Sequence, residues 1–122
     1  MKKEDVSVIA VAGSHGIMHA YLVLLPALIP LLKGDLGNYG TLGLLTSLVF
    51  LFYGWGSFPV GFLADRVSKK RLISASMALC GVSAVLVSLS HSLPITALAL
   101  ILLGIGASLF HPPGYALSLI HI

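Results

Sequence analysis

The sequence predicts an all-α membrane protein of four transmembrane helices with both termini cytoplasmic, and three observations predict it. Of 122 residues, 57% are apolar and only 9% are charged, against about 25% charged in an ordinary soluble domain. The seven Lys or Arg and four Asp or Glu residues are confined to 2–5, 33–35 and 65–71, so that 6–32, 40–64, 72–90 and 95–122 contain none. About 20 apolar residues cross a roughly 30 Å hydrocarbon core as a helix, and each gap is close to that length or longer. Backbone groups in lipid must be satisfied internally, and no segment shows the alternation of a barrel strand.

The first helix, 6–32, follows Lys2 and Lys3. It is longer than the 7 to 15 apolar residues of a secretory signal. Residues 33–39 form a turn in which Gly34, Gly37 and Asn38 stop the helix. The second helix, 40–64, ends at a charged loop, 65–71. The third, 72–90, holds Cys80, the only cysteine, which excludes an intrachain disulfide and a Cys-rich metal site. A four-residue turn, 91–94, leads into the fourth helix, 95–122. Short connections make consecutive helices antiparallel neighbours.

Small residues recur at four-residue spacing: Ser57 and Gly61, Ser74 and Ala78, Gly104 and Ser108. That spacing lets helices approach closely where lipid gives no hydrophobic drive to pack. Pro26, Pro30, Pro59, Pro112 and Pro113 lie inside helices, where each removes a backbone hydrogen bond and kinks or breaks the helix. Lys and Arg number six on one set of helix ends and one on the other. Positive charge stays on the cytoplasmic side during insertion, so the excess marks topology and no nucleic-acid partner is expected.

The loop Gly61-Phe62-Leu63-Ala64-Asp65-Arg66-Val67-Ser68-Lys69-Lys70-Arg71 resembles the signature that joins helices 2 and 3 in the major facilitator superfamily, with Ser68 where that signature has Gly. The resemblance implies that the four helices correspond to the first four of that fold. It also implies that Gly61, Asp65, Arg66, Lys69, Lys70 and Arg71 form a conformational latch stabilising the outward-facing state. The run from His15 to Tyr21, with Leu24-Leu25-Pro26, Pro30 and Phe110-His111-Pro112, resembles fosmidomycin-resistance-type drug exporters of that superfamily. Those exporters tend to carry an acidic residue where His19 stands.

No Asp, Glu, Lys or Arg lies within a span, so histidine is the intramembrane group that titrates near neutral pH. His15 and His19 are four apart and share a helix face. At about 1.5 Å per residue, His15 lies roughly 14 Å from the cytoplasmic end of its helix and His111 roughly 16 Å from that of its own. In the fold that the loop resembles, helices 1 and 4 line the central cavity. His15, His19 and His111 are therefore candidates for substrate binding or proton coupling, and Tyr21 and Tyr115, on the same helices, for stacking on a ligand. The alternative is that each histidine bonds a neighbouring helix or a carbonyl freed by proline. The i, i+4 pair has ligand spacing, but with no carboxylate or thiolate beside it no metal site is assigned.

No hydrolase elbow, phosphate loop or metalloprotease motif is present, so no enzyme and no cofactor are expected. The resemblance implies part of a secondary transporter, an exporter or antiporter of a small solute or drug, multi-pass in a bacterial inner membrane. In that family a half-transporter has six helices, so residues 1–122 are expected to be a partial amino-terminal bundle whose remaining helices lie elsewhere. The alternatives are a small four-helix multidrug exporter acting as a dimer, which uses a helix-1 Glu that is missing here, and a non-transporting membrane subunit.

Overall fold

Among the described residues, the charge-free stretches are helical apart from their ends and a turn at 109–110. A computed structural model describes residues 3–114, which form α1 (Lys3–Leu32), α2 (Tyr39–Ala64), α3 (Lys69–Leu89) and α4 (Leu93–Ser108). No strand occurs among the described residues. All four helices are long and apolar enough to cross a membrane, the fourth when its continuation to Gly114 is included.

Each connection has a local cause. Gly34 and Gly37 take φ of 106° and 126°, the left-handed region that glycine enters at no steric cost. The Gly34 N–H donates to the Gly37 carbonyl at 3.0 Å. Asn38 then caps α2, its Oδ1 accepting from the Thr41 N–H at 3.0 Å. Between α2 and α3, the N–H groups of Arg66 and Val67 both donate to the Leu63 carbonyl, at 3.0 and 2.9 Å. Ser68 sits at φ −53°, ψ 124°, so this turn closes without any left-handed residue. α3 begins at Lys69, three residues before the charge-free stretch, so Lys69, Lys70 and Arg71 form its first turn and not a loop. Before α4, the Thr96 N–H donates to the Ser92 carbonyl at 2.9 Å and the Thr96 hydroxyl to Ser90 Oγ at 3.1 Å, with Pro94 in the first turn.

α4 is the central helix. Half of its span is buried, against α2 and α3, whereas only 12% of α1 is; α2 and α3, expected as neighbours from their short connection, scarcely touch because both pack on α4. The core combines Met18 and Leu22 of α1, Leu42, Leu45 and Val49 of α2, Cys80 of α3, and Leu100, Leu103, Ala107 and Phe110. Two glycines allow this proximity. A Cβ at Gly104 would collide with the Val49 carbonyl and lie 3.0 Å from Phe52 Cβ, and one at Gly106 would lie 2.9 Å from Cys80 Sγ. Ser76 Oγ donates to the Gly106 carbonyl at 2.6 Å, tying α3 to α4.

The small-residue stripes need correction. Gly104 and Ser108 are buried at a helix contact, but Ser74 and Ala78 are exposed and a Cβ added at Gly61 would meet nothing within 4 Å. Ser57 bonds the Tyr53 carbonyl of its own helix, at 2.7 Å. α3 instead buries Ser76, Cys80 and Ser83. A spacing of four identifies a stripe without its azimuth, and two residues turn it about 200° around the helix.

The fourth helix also departs from the continuous 95–122 segment. Regular helix ends at Ser108, Leu109 and Phe110 form a turn, and residues 111–114 are helical again. Pro112 and Pro113 have no N–H to donate to the Ser108 and Leu109 carbonyls. The backbone tightens ahead of them: Leu109 N–H is shared between the Ile105 and Gly106 carbonyls at 3.3 and 3.2 Å, and Phe110 N–H turns to Ala107 at 3.2 Å. The end of that segment, 115–122, lies outside the described residues.

Candidate functional site

The i, i+4 spacing on α1 brings His15 and His19 into direct contact, Nε2 to Nε2 at 3.0 Å. Two imidazole nitrogens at that distance share one hydrogen, so one ring donates and the other accepts. The break in α4 places His111 beside them, its ring centroid 5.5 Å from His15 and 5.4 Å from His19. One ring nitrogen from each of the three lies within 4.8 Å of the others. Residues 96 apart in the chain thus form one cluster.

Two aromatic rings frame it. Phe110, buried, stacks on His15 with centroids 5.7 Å apart and planes 15° from parallel. Tyr53 of α2 lies 5.2 Å from His111. His15 and His19 are exposed on this chain and His111 is half-buried, so the cluster opens to one side and is backed by α2 and α4 on the other. Its members are hydrogen-bond donors or acceptors, proton carriers and nitrogen ligands according to protonation.

The other candidates lie elsewhere. Tyr21 is two residues past His19 and so on the far face of α1. It lines a cavity of about 430 Å³ towards the 33–39 and 91–94 turns, shared with Leu24, Asp35, Leu36, His91 and Leu103. Tyr115 lies outside the described residues. Asp65 is the C-cap of α2; it, Arg66, Lys70 and Arg71 are exposed, while Gly61 and Lys69 are half-buried. These residues stand at the α2–α3 turn, about 18 Å along α2 from Tyr53, and are separate from the histidines.

Tyr53 and Phe110 are the members that sequence reasoning did not select. Tyr53 had a usable signal: eleven residues before the end of α2, it lies roughly 16 Å from the cytoplasmic end, the depth already worked out for His111. Phe110 had none beyond its place next to His111.

The family model described as Major Facilitator Superfamily matches residues 10–119. No curated protein and no solved structure matches the chain.

Proposed function

The chain belongs to the major facilitator superfamily, and on that premise we propose that it is part of the amino-terminal bundle of a secondary active transporter exporting a small solute by alternating access. In this reading His15, His19 and His111 meet the substrate or carry the coupling proton. Family members are transporters, which speaks for transport and against catalysis. The observation that carries the proposal is the convergence of His15 and His19 of α1 with His111, just past α4, on one spot framed by Tyr53, in stretches, 6–32 and 95–122, that hold no Asp, Glu, Lys or Arg.

The mechanism follows from imidazole chemistry. A substrate that donates to a neutral ring nitrogen is released when that nitrogen takes a proton, and exchange of one for the other is antiport. Rocking of this bundle against the transporter's remaining helices would present the cluster to each side in turn. The end of α2 and the start of α3 supply the latch: Asp65, Arg66, Lys70 and Arg71 are exposed and Lys69 is half-buried beside them, available to the cytoplasmic ends of other helices. The setting is a bacterial inner membrane. The solute class, by the helix 1 and helix 4 pattern, is a drug of the fosmidomycin kind.

The test is accumulation of labelled fosmidomycin in cells expressing the transporter that contains these helices. The expected result is lower accumulation than in cells without it, abolished by His111→Ala and unchanged by His91→Ala. Accumulation indifferent to His15→Ala, His19→Ala and His111→Ala alike would remove the cluster from the transport path.

A further inference from the structure

We infer that His15, His19 and His111 form a three-histidine binding site for a divalent transition-metal ion of the zinc class. The inference rests on the reading of this cluster as the transport position, and it adds an ion that the same nitrogens hold besides meeting the drug.

The spacing on α1 offers a pair of imidazoles on one face, the way helical metal sites present two ligands four residues apart. A pair on one helix is common and binds weakly. The third nitrogen comes from a different helix, delivered where the prolines interrupt α4. In a tetrahedral site with Zn–N of about 2.0–2.1 Å, ligand nitrogens stand roughly 3.4 Å from one another. Here the His15–His19 pair is at 3.0 Å and all three nitrogens lie within 4.8 Å, so side-chain shifts of up to about 1.4 Å complete the set. Binding would use the Nε2 lone pairs of both rings, the donor ring moving its hydrogen from Nε2 to Nδ1, and a proton would leave only from a ring that starts as imidazolium.

The donor set selects the ion. Three imidazoles without a carboxylate suit zinc, cobalt, nickel or copper and not magnesium or calcium, which require oxygen ligands. Three protein ligands leave a fourth position open, and His15 and His19 are exposed, so the ion can enter and leave. Tyr53 and Phe110 hold the rings of His111 and His15 in place, the supporting role that groups around metal ligands play.

The experiment uses the purified chain in detergent, with a tag free of histidine and after metal stripping. Co²⁺ is titrated by its ligand-field absorption and Zn²⁺ by calorimetry. The expected result is saturation at one ion per chain, displacement of Co²⁺ by Zn²⁺, no response to excess Mg²⁺, and weaker binding at acid pH, where protons occupy the same nitrogens. His15→Gln, His19→Gln and His111→Gln should each weaken Co²⁺ binding by at least about tenfold, with His91→Gln unchanged. Should a variant lose helicity, the parent chain decides: Zn²⁺ should protect His15, His19 and His111 from diethyl pyrocarbonate while His91 is modified at its usual rate. Absence of saturable Co²⁺ binding, or full affinity in His111→Gln, or equal modification with and without Zn²⁺ overturns the site. Drug export lost in His111→Ala from a protein that binds no Co²⁺ would overturn the metal and leave the transport reading standing. Co²⁺ bound by a protein without transport would do the reverse.

Discussion

Gly104→Ala should destabilise the bundle, because the added methyl has no room. Its carbon would strike the Val49 carbonyl and lie 3.0 Å from Phe52 Cβ and 3.1 Å from the Tyr53 nitrogen. Two of these three atoms are backbone and the third is fixed to it, so no side-chain rotation relieves the clash and α2 and α4 must separate. A separation of 0.5–1 Å forfeits about a quarter to a half of each contact along the seam, and overpacking of this kind costs about 1–3 kcal/mol. Gly81, in α3, has nothing within 4 Å of its own Cβ position, so Gly81→Ala should stabilise by about 0.5–1 kcal/mol through the lower entropy of the unfolded chain. The two substitutions add the same methyl with opposite signs, about 1.5–4 kcal/mol apart. The assay is unfolding by sodium dodecyl sulfate in mixed micelles, followed by far-ultraviolet circular dichroism. A Gly104→Ala chain as stable as Gly81→Ala would contradict the close approach of α2 and α4.

Three further outcomes are expected. Ser76→Ala removes the 2.6 Å bond to the Gly106 carbonyl and should cost about 0.6–1.7 kcal/mol in the same assay, with the exposed Ser74→Ala neutral. Replacing Pro112 and Pro113 together by Ala restores donors to the Ser108 and Leu109 carbonyls, which should raise the helicity of α4 and weaken Co²⁺ binding by drawing His111 away from His15 and His19. Asp65→Asn removes the charge of an exposed group and should leave unfolding within about 0.5 kcal/mol of the parent while strongly reducing transport in the transporter that contains these helices.

The four spans were legible because exclusion of charge from hydrocarbon acts on composition, and every charge in the chain marks a helix end. The turn glycines were legible for the same local reason: Gly34 and Gly37 do adopt left-handed backbone. The histidine cluster was partly legible, since depth along a helix follows from a fixed rise per residue, and His15 and His111 come out level. What depth does not carry is azimuth. Tyr21 shares a helix with His19 but not a face. The stripe expected at Ser74 and Ala78 runs through Ser76, Cys80 and Ser83, because only the packed neighbours decide which side of α3 turns inward. The proline pair announced a distortion of the fourth helix, but its position, at Leu109 and Phe110, depends on how the Ile105, Gly106 and Ala107 carbonyls share the remaining donors.

The measurement that bears most directly on the three histidines as one working group is a double-variant cycle on transport. His15→Ala, His111→Ala and the pair would be compared by fosmidomycin efflux from cells expressing the transporter. Residues that act as a unit lose most of the activity at the first substitution and little more at the second. The expected result is a double variant about as impaired as either single one. Efflux losses that multiply independently, or a His111→Ala variant with full efflux, would contradict the cluster as the working site.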